Sequence, residues 1–394
     1  MRFLRVLAAL VVLGSVATTA HIINAFVQPV SGPDRVRAQV AFLNGAIAEG
    51  APARMQELFP EGAFFTHVLT GLAAASVGDT ATISATYAAS GDPAIKATFG
   101  NIEALEHGTF YRGWRLLLAA ELVRLTGTGT DGLLVEARAV QDALTTSKTG
   151  VPPSYPAGFW PCDAVVAMAA VIKARQVGGD PIDPNAVAAW RSKLDGARET
   201  GTGLLAHQID ADGKIQDGPR GSSQSIIQAF WPTIDPAGAA GSWEKFRRTF
   251  VTSEAGLVGV REYPVGGSGE GDVDSGPLIF GVSASASAVT LAAARANGEA
   301  RLAASLDHEA EYLGVPLEWS SQRRFAFGLL PVGDAFVAWA RGVPLATTTG
   351  SPSPSPQPQW WWHAGLALLP GLAASLWLLS RIRRRTPASR RGRP

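Results

Sequence analysis

AVVAMAAVI, residues 164–172, decides how this chain is read. The stretch is small, apolar and uncharged, so a helix made from it has no face that belongs in water and must be buried all round. Two stretches of similar character flank it at a distance, WRLLLAAELVRL at 114–125 and IFGVSASASAVTLAAA at 279–294. Segments 131–147, 184–199 and 299–313 instead gather their apolar residues on one stripe, the mark of a helix buried on one side. Apolar residues recur at three and four positions in 34–49, 66–77, 108–125, 162–177, 222–231, 242–251, 275–296 and 331–340 as well. An inner helix followed by an outer one, five or six times over, predicts an all-α domain of the α/α-toroid type. Such a barrel of helical hairpins has its pocket at the loops that enter the inner helices. No repeat of about 30 to 45 residues marks a solenoid, and no long alternation marks a strand. An extended solenoid, or a sheet of more than three strands, is incompatible with the toroid. Leu118, Ala167, Val171, Ser285 and Val289 are expected inside, and Glu136, Arg191 and Glu299 outside.

The chain has 394 residues, 46% hydrophobic and 17% charged, which excludes disordered and collagen-like classes and allows a large core. Its 34 basic and 33 acidic residues are unevenly placed. Arg2, Arg5 and seven arginines after Ser380 lie in the two ends, leaving 25 basic against 33 acidic residues between them, a net of −8. A nucleic-acid partner needs a basic face, and the middle has none to offer. The single cysteine, Cys162, excludes an internal disulfide and a cysteine-based zinc site, and the six histidines lack paired metal spacing.

Both ends carry membrane signals. Residues 1–30 open on two arginines and continue apolar and uncharged, consistent with a signal peptide or an uncleaved signal anchor. Residues 360–380 hold no Asp, Glu, Lys or Arg, open on three tryptophans that suit a headgroup interface, and end on a basic tail at 381–394. A Pro- and Ser-rich linker at 346–359 sets this transmembrane helix apart from the domain at 34–345. The basic flanks place the cell membrane as a partner, with the domain extracytoplasmic and the C-terminus cytoplasmic, as a single- or double-pass protein.

Chemistry-bearing residues crowd the loops before inner helices. Tyr155, Trp160, Cys162 and Asp163 precede one, Gly218 to Gln224 another, and Arg261, Glu262, Glu270, Asp272 and Asp274 a third. The carboxyls of Asp163, Glu262, Glu270, Asp272 and Asp274 suffice for a general acid and a general base, the pair that glycoside cleavage also requires. Asp274-Ser275 equally suits the N-cap of a helix starting there. That helix end would hold Asp272 ionised, while Asp163, packed near Trp160, would be the protonated partner. Cys162 reads either as a nucleophile or as a small buried hydrophobe. His207 is a weaker candidate. Glu270, Asp272 and Asp274 lack the ligand order of an EF-hand, so no metal is assigned.

The stretches AQVAFLN (38–44), FYRGWRLLL (110–118), VRLTG (123–127), CDAVVAM (162–168), WEKFRRTFV (243–251), VRE (260–262) and DVDSG (272–276) resemble, in order and spacing, the linalool dehydratase/isomerase family over roughly 37 to 341. The resemblance implies an α/α toroid, a lyase or isomerase working on a small molecule, and no cofactor. The family reaction uses two cysteines, a histidine and an acid. Cys162 stands at one cysteine position; the other falls near Pro153, the histidine falls at Trp114, and the first helix has no acid between Ala38 and Gly45. The family's own dehydration is therefore not expected. The candidate ligand contacts are Tyr111, Arg112, Trp114, Tyr155, Trp160, Arg261 and Glu270. The function expected is a membrane-anchored domain that binds or processes a small organic or saccharide ligand by carboxylate chemistry. The alternatives are a non-catalytic envelope binding or scaffold module and a glycan-cleaving hydrolase. Oligomerisation is left open.

The topology is directly testable. A cysteine introduced as Ser353→Cys should label in intact cells with a membrane-impermeant reagent, and one introduced as Ser389→Cys should not; the reverse pattern inverts the orientation.

Overall fold

The computed structural model describes residues 2–29, 32–347 and 356–383. Most of the linker and the basic tail from 384 onward lie outside the described residues.

Sixteen α-helices are described: α1 (Arg2–Val27), α2 (Pro33–Ala48), α3 (Ala51–Leu58), α4 (Gly62–Ser76), α5 (Thr80–Ala89), α6 (Pro93–Ala97), α7 (Gly108–Thr126), α8 (Thr130–Thr146), α9 (Pro161–Val177), α10 (Pro184–Leu194), α11 (Gly221–Ile234), α12 (Ala239–Phe250), α13 (Ala284–Ala296), α14 (Ala300–Gly314), α15 (Pro331–Gly342) and α16 (Trp360–Arg383). Six of them touch in a closed cycle, α4 to α7 to α9 to α11 to α13 to α15 and back to α4. Two of them, α4 and α11, carry no Asp, Glu, Lys or Arg at all. In α4 every residue from Gly62 to Ala75 is buried, and in α9 every residue from Pro161 to Val171. Small side chains permit the close approach: a Cβ on Gly113 of α7 would stand 3.0 Å from the Ala167 Cα of α9. The amphipathic helices α8, α10, α12 and α14 bury one stripe each, such as Leu133, Ala137, Val140 and Leu144 in α8.

Three alternate members of the cycle also meet one another. Trp114 of α7 lies edge-on to Phe230 of α11 (5.4 Å between ring centres) and to Trp339 of α15 (5.6 Å), and Phe230 stacks on Trp339 at 6.0 Å. Helices that are not neighbours in the cycle reach one another through its centre, so these rings occupy the axis at mid-depth.

Eight short strands are antiparallel: β1 (Gln208–Ile209) with β2 (Ile215–Asp217), β3 (Val251–Glu254) and β4 (Leu257–Arg261) with β5 (Leu278–Ile279) and β6 (Val282–Ser283), and β7 (Leu317–Trp319) with β8 (Gln322–Arg324). The second group is a four-stranded sheet in the order β3-β4-β6-β5. It exceeds the three-strand limit set from the sequence and corrects the all-α reading to a mostly helical one. The limit is too strict because strands this short carry no alternation, and all four belong to the single connection between α12 and α13.

Leu118, Ala167, Val171 and Val289 are buried, but Ser285 is only half-buried, with its hydroxyl donating to the Asp274 carbonyl at 2.6 Å. The three charges expected outside are drawn inward by partners. Arg112 takes Glu136 at 2.5 and 2.7 Å, Asp235 takes Arg191, and Glu299 is buried 3.6 Å from Arg247.

A buried ion network ties the end of the cycle to its beginning. The Arg341 guanidinium donates to Asp307 at 2.6 and 2.8 Å, to Glu311 at 2.5 Å and to Gln39 at 2.9 Å, and Glu311 also takes Arg35 (3.1 Å) and Arg323. Replacing Arg341 by Ala strands the Asp307 carboxylate in the interior, while Glu311 keeps Arg35 and Arg323, and should cost about 3–5 kcal/mol, read as a lower denaturant midpoint. An unchanged midpoint would show that the network does not fasten the cycle.

Candidate functional site

The first turns of the inner helices define one end of the domain, the mouth, and the acids gather there. α9 starts with Pro161 at its first position, where the missing amide costs nothing, and this sets Cys162 and Asp163 in the first turn. Gly221 opens α11 hard against the Arg261 carbonyl, an approach a Cβ would block, and its amide donates to the Glu262 carbonyl at 2.8 Å. Arg220 and Ser222 are thereby brought onto the Glu262 carboxylate, at 2.7 Å each. Glu61 stands immediately before α4 and accepts the Tyr155 hydroxyl at 2.7 Å.

One half of the mouth holds protons. Burial pushes Asp163 up to about 7; the charges of Asp274 and Glu61 add to this, while the Ser154 hydroxyl and the Cys162 thiol oppose it. The thiol points at Asp163 Oδ1 across 3.6 Å, and burial raises the Cys162 pKa well above its ordinary value, with Asp163 and Asp274 adding to the rise. Cys162 is thus a thiol and not a ready nucleophile. Crowding also lifts Asp274 to about 6, with Asp272 and Glu61 adding and Arg220 opposing. Because 56% of the Asp274 side chain stays open to water, solvent offsets part of that push, and Asp163 is the firmer proton holder. His207 lies 3.9 Å from Asp274 through Nε2 and 3.1 Å from the Ser223 hydroxyl through Nδ1. Burial, then Arg220, lowers His207 to about 4, which makes it neutral.

The other half is ion-paired. Arg220 lies 2.7 Å from Glu262 and 2.6 Å from Asp272. Partial burial pushes Asp272 up, but the Ser275 amide and Arg220 outweigh it and hold the carboxyl below its ordinary range. For the wholly buried Glu262, burial wins over Ser222 and Arg220, and its pKa is raised.

Several candidates lie elsewhere. No helix starts at Ser275: Gly276-Pro277 disfavours helical backbone there, and α13 begins at Ala284, capped by Ser283 onto the Ala286 amide at 3.0 Å. Asp272 instead closes a turn on the Asp274 and Ser275 amides, at 3.0 Å each. Glu270 is exposed, and Arg261 braces its loop through the Phe280 and Gly267 carbonyls. Arg112 faces α8 through Glu136, Tyr111 is core and donates to the Ser90 carbonyl at 3.2 Å, and Trp114 belongs to the axial aromatic cluster. Tyr155 and Trp160 do reach the mouth, edge to face at 5.3 Å. Among the described residues no three His, Cys, Asp or Glu side chains gather to hold a metal.

Glu61 is absent from the sequence-based candidates because 66–77 places the start of that helix one turn late; the rule that chemistry precedes inner helices finds it once α4 begins at Gly62. Arg220 lies in a loop already singled out, but its closest partners, Glu262 and Asp272, come from another loop more than 40 residues away. No protein-family model matches this chain, and no curated protein matches it.

An acid whose pKa is raised by folding binds its proton more tightly when folded, so it withdraws stability as pH climbs from its unfolded value toward its folded one. Asp163→Asn should therefore melt higher than the unaltered protein at pH 8 and differ little at pH 4, a gain of about 2–4 kcal/mol across that window. A gap that does not widen with pH would refute a proton on Asp163.

Proposed function

We propose that this chain is a membrane-anchored, extracytoplasmic α/α-toroid protein, similar to linalool dehydratase/isomerase in fold, that processes a small organic or saccharide ligand by carboxylate acid and base chemistry. The closed cycle of six helices, with the sheet confined to one connection, supports the toroid. Two helices, Phe3–Val27 and Trp360–Arg381, are long and apolar enough to cross a membrane. Their pairing along their length favours an uncleaved anchor over a removed signal peptide, since α16 packs on α1.

The observation that carries the chemistry is the pair Asp163, buried in the first turn of α9 with its proton, and Asp274, open to water and 3.9 Å from the neutral His207. Asp163 is the proton donor and Asp274 the acceptor. In a dehydration, Asp163 gives its proton to the leaving hydroxyl as the C–O bond breaks, forming water. Asp274 takes the proton from the adjacent carbon as the C=C bond forms, and transfer of that proton back to Asp163 resets the site. In a glycoside cleavage the same donor would protonate the leaving oxygen while Asp274 takes a proton from the water that adds to the sugar carbon, with Trp160 beside them at the mouth. A non-catalytic binding module is the second reading, favoured by the Arg220 pairs with Glu262 and Asp272, which fasten the loops whether or not chemistry follows.

Purified protein would be incubated with a panel of tertiary alcohols, alkene formation being followed by gas chromatography, and in H₂¹⁸O with a panel of oligosaccharides. The proposal expects alkene from the first panel or ¹⁸O in the products of the second, lost in Asp163→Asn and Asp274→Asn but kept in Arg112→Gln. Undiminished product in Asp163→Asn would sink it, and ligand-induced stabilisation without product would point to the binding module.

A further inference from the structure

The contacts of the two long helices fix the direction in which the mouth faces. α13 starts at the mouth, so α14, its antiparallel partner in a hairpin, returns to the mouth with its C-terminal end. His308 donates through Nδ1 to the Ala25 carbonyl at 2.7 Å, and four residues further on the Tyr312 carbonyl lies 2.8 Å from His21 Nε2. Residue numbers fall along α1 as they rise along α14, so α1 runs antiparallel to it. Past His21, the stretch from Ala20 back to Phe3 continues beyond the mouth end of the domain, about 27 Å of helix at about 1.5 Å per residue. That is close to the hydrocarbon thickness of a bilayer, about 30 Å.

α16 takes the same course. Trp360 stacks on Phe26 at 5.8 Å, and His363 gives its Nε2 proton to the Ala255 carbonyl at 2.9 Å, which leaves Nδ1 to accept from the Tyr312 hydroxyl at 3.4 Å. The tryptophans at the start of α16 therefore sit level with the last turn of α14, beside the mouth.

The mouth loops on this side carry exposed apolar side chains among their polar ones. Ile279, Phe280, Trp319, Phe327, Leu329 and Leu330 stand 46–80% exposed on the connections that enter α13 and α15. Phe280 and Phe327 do so from the left-handed backbone region, at φ of 54° and 60°, and Ser320 and Ser321 turn the Trp319 hairpin at 49° and 66°. Bulky residues adopt that region at a cost in strain, which persists where the outward presentation serves a purpose.

We propose that this rim is a membrane-docking surface: the mouth faces the bilayer crossed by α1 and α16, the aromatic tips sit in the headgroup layer, and Asp163 and Asp274 receive an amphiphilic ligand from that leaflet. This rests on the membrane reading proposed above. Tryptophan and phenylalanine suit that layer, and continuity with the tryptophan-bearing end of α16 sets the depth.

The test uses the full chain with Cys162→Ser, reconstituted in phosphatidylcholine vesicles, carrying an environment-sensitive fluorophore at one introduced cysteine. Labels at Phe280→Cys and Phe327→Cys should shift to the blue and lose roughly half their emission to a lipid spin label near the headgroup, but little to one near the chain end. A label at Leu10→Cys should be quenched by the deep spin label, and one at Thr128→Cys, at the opposite end of the domain, by neither. Quenching at Leu10 without quenching at both rim positions overturns the docking surface and leaves the membrane reading standing. No quenching at Leu10 overturns the membrane reading and the rim with it. A blue shift at the rim that fades on dilution, without lipid quenching, would put a second copy there and also overturn the proposal.

Discussion

The Arg341 guanidinium is the constraint on which the rest hangs. A cation with no exposure at all is tolerable only where carboxylates and carbonyls meet it from several sides at once. Its partners come from α14 and from Gln39, which is 302 residues away in sequence. No local segment can satisfy it, and α2, α14 and α15 must be in place together. The hairpin β7–β8 joins through Arg323, so the connection entering α15 is held by the same charges. Closure of the helical cycle is therefore close to all-or-none, and the mouth, assembled from the first turns of separate helices, exists only once it is closed.

The helices were legible because burial leaves a compositional trace. The inner helix α9 shows it most clearly, since the nine uncharged residues from 164 to 172 have few places to go but the interior. The boundaries were less legible. The segment 275–296 reads as one helix from its apolar period, yet Gly276-Pro277 and a two-strand hairpin take up its start. The helices α3, α5 and α6 are short and alanine- or threonine-rich, with too little apolar contrast to register. The strands of the four-stranded sheet are too brief to show a period at all.

The site was legible by address and not by partner. Counting loops before inner helices finds Asp163, Asp272 and Asp274, because that rule depends on connectivity. The expectation of an ionised Asp272 and a protonated Asp163 rests on a helix start at Ser275 that is not there; Arg220 clamps the one, and burial leaves the other its proton. The difference lies in which arginine arrives from α11, a tertiary fact. Arg112 and Arg261 looked equally able to serve, yet each is spent on an outer helix or its own loop. Trp114 shows the reverse case: it lies on an inner helix, but six residues below the first turn it points into the axis and not the mouth.

That axial cluster has a consequence for traffic. Trp114, Phe230 and Trp339 stop the centre of the cycle like a cork, so no passage runs through the axis and the acids at the mouth are reached from that end alone. On the reading proposed above, a ligand would arrive and depart past the same loops, and the residues of that rim would bear on its exchange as much as the acids beneath them.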